Sequence, residues 1–449
     1  MNKGTLIWAR RATVAAALAL AATLVTACAS DGPTLPKISD LNPFKEKPQS
    51  LPGKRIAIVE TTESIANNLA EADHPFTLPP QRSNDSWSQP GGEPNNAPGH
   101  LALSGSLHQA WTGDAGEGSS KTARIMASPI VYDGRVYTLD ATGVVSGFGL
   151  SGGRVFQVAT IPENEAGGGG HGGGLAAENG RLYVANGFGI AAALDPQSGK
   201  VLWQKNLGAP VRAAPTASGD KLFVITIQGR FYCLNGADGA ELWAANGLPQ
   251  PASLMTSTSP AVDGDIVVVP YPSGDLVAMK VSDGSPVWTE NLARTRQTSQ
   301  MASMSDAARP AIDGGIVFAV GHAGRMVATN SKTGERLWSI NVPGTQAPWV
   351  AGDTVYVVDT HGQVMALSRT DGKTRWTAQL PDSKTWSGPV LAGGMLWLAS
   401  NKGQLVGVDA ATGKLSSNLN LGEAVYIAPI VAQGRMFVLT DSAKLIALN

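Results

Sequence analysis

The chain has 449 residues, 43% of them hydrophobic, enough to bury a large core, and its 34 Lys and Arg against 35 Asp and Glu leave a net charge of −1. So even a balance, with no basic run, excludes long-range attraction to nucleic acid or anionic lipid. Its two cysteines, Cys28 and Cys233, form no CxxC or CxxCH motif, which excludes c-type haem and cysteine-held zinc, while 53 Gly and 28 Pro suit an all-β protein with many turns.

The N-terminus opens on a basic stretch (Lys3, Arg10, Arg11) followed by an apolar run from Ala12 to Val25. That run is too short and too rich in alanine to span a bilayer and reads as an export signal. It ends in "LVTAC", which resembles the bacterial lipobox, so residues 1–27 form a lipoprotein signal peptide and Cys28 is the lipidated first residue of the mature chain. Several acyl chains hold firmly, at about 0.8 kcal/mol per buried methylene. By the same resemblance, Ala29 rather than Asp after the cysteine directs the anchor to the outer membrane. Residues 28–82, rich in Pro, Ser and Asn, read as a tether with one strand-like island, "KRIAIVE" at 54–60. Cys233 has no second cysteine in the mature chain other than the lipidated one, so stability has to come from the core.

From residue 83 onward one pattern recurs: a proline, a short apolar strand, a glycine-containing turn, two more strands, a second turn with "SG", "DG" or "TG", then a strand carrying tryptophan. Pro215 precedes Trp243 by 28 residues, and the same spacing separates Pro260 from Trp288, Pro310 from Trp338, and Pro348 from Trp376. Two degenerate copies keep the register, with Leu175 in the proline slot before Trp203 and Ser417 in the tryptophan slot after Pro389. A further copy starts at Pro129 with Phe156 one residue early, and an eighth starts at Pro429, 20 residues from Asn449. Repeats of roughly 40 residues with about four short strands predict a β-propeller. Eight slots predict eight four-stranded antiparallel blades over 83–449. The strand missing from the eighth copy is expected from "QAWTGDAG" (109–116), whose Trp111 would close the ring and remove the open sheet edges.

The fixed register assigns Trp111, Trp203, Trp243, Trp288, Trp338 and Trp376 to packing between blades, each contributing about 3–5 kcal/mol by truncation. Asp195, Asn235, Asn330 and Asp409 precede the second turn, where a side-chain oxygen can cap it and a glycine such as Gly199 supplies positive φ. "EAGGGGHGGGL" (165–175) falls between two blades with no helix after it, so its glycines read as conformational freedom and close backbone approach rather than a phosphate loop, with a ligand at His171 as the alternative. "GLSGG" around Ser151 matches a nucleophile elbow but sits between two strands, and the six histidines show no HExxH spacing.

"ALDPQSGKVLW", "CLNGADGAELW" and "TNSKTGERLW" resemble the repeats of quinoprotein dehydrogenases, eight-bladed propellers that bind pyrroloquinoline quinone and calcium. That family's adjacent-cysteine disulfide has no counterpart here, so no cofactor is expected. A resemblance covering nearly the whole chain is to the BamB family of outer-membrane β-barrel assembly lipoproteins. It runs from the lipobox through "NDSWSQPGG", "RAAPTASGDKLFV", "TSPAVDGDIVVVPYPSGDL", "SDAARPAIDGGIVFAVGHAGR" and "GPVLAGGMLWLAS". It implies a non-enzymatic scaffold on the periplasmic leaflet of the outer membrane, binding the POTRA domains of a BamA-like barrel subunit, with unfolded outer-membrane proteins as further candidate partners. A periplasmic quinoprotein-type dehydrogenase or ligand-binding propeller is the alternative. Two neighbouring connections are enlarged, from Trp243 to Pro260 and from Trp288 to Pro310, and long loops on a rigid scaffold commonly carry binding. The resemblance places partner contacts there. "ASLMTSTSP" keeps Leu254 with Met255 in place of the family's arginine, and "MSDAARP" keeps Asp306 with Arg309 nearby.

Overall fold

The computed structural model describes residues 77–449, apart from Gly105, 163–171, 248–257, 293–306, Ala323, Asp382 and Lys384. Cys28, the signal peptide, the 54–60 island and His171 lie outside the described residues. Among the described residues, 32 strands form eight four-stranded antiparallel sheets with no helix. Blades 1 to 7 cover 130–159, 173–206, 216–246, 261–291, 311–340, 349–379 and 386–420. Blade 8 combines three strands within 430–448 with Gln109–Asp114, where Trp111 pairs with Ala447.

Burial falls from the axis outward. First strands such as Thr216–Ser218 and Ile430–Ala432 have three residues, almost all buried, because eight chains converge there. Fourth strands such as Val201–Asn206 alternate exposed and half-buried positions, as expected of an edge with one face on the next blade. Where third and fourth strands pair, the register shifts at one recurrent place, for example between Ala193 and Leu194, Cys233 and Leu234, and Ala278 and Met279. Such bulges bend the outer strand and make its open edge a poor template for another chain.

Each tryptophan of the register docks on the next blade in one way. Its indole N–H donates to the carbonyl directly after that blade's third strand: Trp111 to Leu150 (2.8 Å), Trp203 to Gly236 (2.9 Å), Trp243 to Val281 (3.1 Å), Trp288 to Ser331 (2.8 Å), Trp338 to Arg369 (2.8 Å) and Trp376 to Ala410 (3.1 Å). The indole also covers the glycine of the same turn. A Cβ on Gly334 would lie 2.5 Å from Trp288, and one on Gly284 2.5 Å from Trp243. These glycines therefore do two things: they hold φ near +73° and they leave room for the ring. The turn is capped as its sequence predicts, with Asp195 Oδ1 accepting from the N–H groups of Gln197 and Ser198 and Asp409 Oδ1 from those of Ala411 and Thr412. Ser417 stands in the tryptophan slot of blade 7 because blade 8 offers no such turn: its third strand, Lys444–Leu448, pairs with a strand from the other end of the sequence.

Residues 84–101, to which the repeat assigns no blade, run around the axis as a strap. In chain order they bond blade 8 (Gln433 N–H to Asn84 O), blade 1 (Trp87 with Val131, both directions) and blade 2 (Ala177 N–H to Ser88 O). Blade 3 follows, where the Gln89 carboxamide engages both N–H and C=O of Ala217. Blades 4 and 5 then donate from Val262 N–H to Pro94 O and from Ile312 N–H to Asn95 O. Trp349 Nε1 of blade 6 donates to Gly99 O, and Leu101 N–H donates to Leu391 O of blade 7. First strands have an unpaired inner edge, and a buried backbone group without a partner is costly, so the strap satisfies groups the blades leave open.

Candidate functional site

The two enlarged connections flank blade 4, and their bulk, 248–257 and 293–306, lies outside the described residues, as do Leu254, Met255 and Asp306. Their roots are described. The first leaves at Gly247, whose N–H donates to Gly229 O and which lies under the Tyr271 ring of blade 4, where a Cβ would come within 2.2 Å of the ring. It returns at Thr258, whose carbonyl accepts from Ala214 N–H at 2.8 Å. The second leaves at Leu292, buried on Gly321 and bonded to Gly274 O, and returns at Ala307 and Ala308, the latter donating to Val320 O at 2.9 Å. Both roots are therefore held by the same face of one blade and its neighbours. Burial pushes the Tyr271 phenol upward, so this enclosed ring stays neutral beside Gly247.

Arg309 is in a different place from its sequence expectation. It faces the axis, is buried, and donates to Pro90 O of the strap at 2.9 Å. Desolvation lowers its guanidinium to about 10, which leaves it charged at neutral pH. The enclosed side chain lies at the foot of the second connection. The sequence carried a sign of this. The residue before the proline slot is small in the other blades (Ser128, Gly174, Ala214, Ser259, Ala347, Gly388, Ala428), as a crowded axis requires, and Arg309 is the large exception.

The axial space beside Arg309, bordered by Trp87, Asn96, Trp349 and Tyr426, is about 40 Å³, room for a few water molecules. Gly172, Gly173 and Gly174 pass close to their neighbours: a Cβ on Gly173 would lie 2.1 Å from Ala185 O, and one on Gly174 2.4 Å from Ala214 Cβ. Ser151 is exposed in a tight turn closed by Gly152 N–H to Gly149 O. Cys233 is buried in blade 3, which pushes its thiol up to about 12 and makes it unreactive. Among the described residues no three His, Cys, Asp or Glu side chains are placed together to hold a metal ion.

The family model described as "Outer membrane protein assembly factor BamB" matches residues 164–378 and 372–449, well over half of the chain. The chain belongs to the BamB family. A relative named outer membrane protein assembly factor BamB, from Yersinia pestis, is 23% identical over 280 residues, 62% of this chain and 71% of the relative. The crystal structure of BamB from Moraxella catarrhalis superposes with a TM-score of 0.66 at 20% identity, covering 77% of this chain and 100% of that one. The quinohemoprotein alcohol dehydrogenase of Comamonas testosteroni gives 0.67 at 13% identity, covering 86% and 84%. At such identities the two structures speak for the propeller fold alone.

Proposed function

We propose that this BamB-family chain is a non-enzymatic scaffold lipoprotein of the outer-membrane β-barrel assembly complex. It is anchored through Cys28 in the periplasmic leaflet of the outer membrane and binds POTRA domains of a BamA-like barrel subunit, promoting folding and insertion of outer-membrane proteins. The family match over 164–449 carries the reading. The two connections beside blade 4 are its contact surface, with Leu254 and Met255 as apolar anchors and Asp306 as the polar contact; a few buried anchors commonly dominate affinity, and methionine adapts to irregular surfaces. Arg309 supports the second connection from below. The quinoprotein alternative has less in its favour, since it rests on a likeness of fold at 13% identity.

Co-purification of the detergent-solubilised lipoprotein with the barrel subunit tests the assignment. The double variant Leu254→Asp with Asp306→Arg is expected to lose the association while keeping the thermal transition of the parent. Association at parental strength would show that the contact lies elsewhere.

A further inference from the structure

We infer that Asn96 is a positioning residue for the proposed partner surface, joining the returning ends of both enlarged connections through one carboxamide; this rests on the reading that those connections carry the contact. Asn96 Nδ2 donates to Pro310 O at 2.9 Å and to Pro260 O at 3.3 Å. These prolines are the last residues before blades 5 and 4, so each carbonyl terminates one of the two connections. Just before Asn96 the backbone does the same, with Pro94 O and Asn95 O accepting from Val262 and Ile312.

The two ends of each connection are held differently. The outgoing ends, Gly247 and Leu292, are fixed by Tyr271 and Gly321 within the blades. The returning ends are bonded to blades 3 and 5 at Thr258 and Ala308, and they meet the strap as well. Pro260 O also accepts from Thr216 Oγ1 at 2.7 Å, so blade 4 keeps a donor without Asn96. For Pro310 O the carboxamide is the donor among the described residues. The strap is shaped to deliver it: Asn96 adopts φ +58°, its N–H donates to Glu93 O at 3.0 Å, and Gly91 leaves the space its side chain fills, since a Cβ there would lie 2.3 Å from Asn96 Oδ1. Arg309, beside Pro310, reaches the strap at Pro90.

Two variants test this in the full-length lipidated protein. Asn96→Gly keeps the positive φ and removes the carboxamide; Gly91→Ala keeps the carboxamide and displaces it. The probe is the purified periplasmic POTRA segment of the barrel subunit, with affinity measured beside amide exchange. Both variants are expected to weaken binding about tenfold, the scale set by one or two buried hydrogen bonds, and to speed exchange at 258–262 and 307–312 with blades 1 and 2 unchanged. Parental affinity in both variants, while Leu254→Asp with Asp306→Arg abolishes binding, would overturn the positioning role and leave the surface standing. Faster exchange throughout the ring would also overturn it, by making Asn96 a general stabilising element. Parental binding in the Leu254 and Asp306 variant would instead remove the surface itself.

Discussion

The sharpest test of how the blades dock is a pair of glycine substitutions that share one cost and differ in another. Gly334, in the second turn of blade 5, has φ +73° and would place a Cβ 2.5 Å from Trp288 Cβ and 2.6 Å from its Cγ. Gly264, in the first turn of blade 4, has φ +59° with nothing within 4 Å of an added Cβ. Alanine at either site meets the left-handed penalty of about 1–2 kcal/mol and the same reduction in unfolded-state freedom. Only at Gly334 must a buried indole with its N–H bonded to Ser331 O also give way, an overpacking cost of about 1–3 kcal/mol. Gly264→Ala is therefore expected to lose about 1 kcal/mol and Gly334→Ala about 2–4 kcal/mol. Urea unfolding of the mature protein, followed by tryptophan fluorescence and compared at equal slope, measures the difference. Equal losses in the two variants would mean that the glycines answer only to backbone conformation and that the indole contact between blades is incidental.

Trp288→Phe keeps most of the ring but leaves the Ser331 carbonyl without its donor, and a loss of about 1–3 kcal/mol in the same urea assay is expected. Glu423 receives Lys444 and the hydroxyls of Ser442 and Thr440, contacts that hold its carboxyl at about 2, below the ordinary glutamate value. Its folded value is depressed, so its contribution is complete above pH 4.5 and is lost as the pH falls toward 2. Thermal scans across that window should show a shallower acid decline in Glu423→Gln than in the parent; identical profiles would refute the assignment. The effect is small, because Lys444 is largely solvent-exposed.

The ring was legible because its signal is periodic. A proline and a tryptophan 28 residues apart mark the first and fourth strand of a blade, and Trp111 marks the strand that completes blade 8. The strap was not legible, for a physical reason: it works mostly through main-chain groups and the carboxamides of Asn84, Gln89 and Asn96, so its sequence, "NDSWSQPGGEPNNAPGHL", shows mainly the Pro, Gly and Asn of irregular backbone. Its one readable oddity is Trp87, an aromatic residue in tether-like surroundings, which is buried and stacked on Trp349. The axial placement of Arg309 was not legible at first sight, because a charged side chain near a loop reads as exposed, and only the small residues at the equivalent places of other blades mark it as pointing to the axis.

A circle of sheets in which each meets only its neighbours would be expected to fray piecemeal, since stability in repeat proteins is approximately a sum of local and nearest-neighbour terms. A cord bonded to all eight sheets in turn changes that behaviour: no sheet can detach without disturbing a chain segment that the other seven also hold. The cord leaves the ribosome before any sheet, yet Asn84 must find Val431, 347 residues later. Its seating is therefore expected late in folding, as a slow long-range closure, with the whole ring then expected to melt in a single transition.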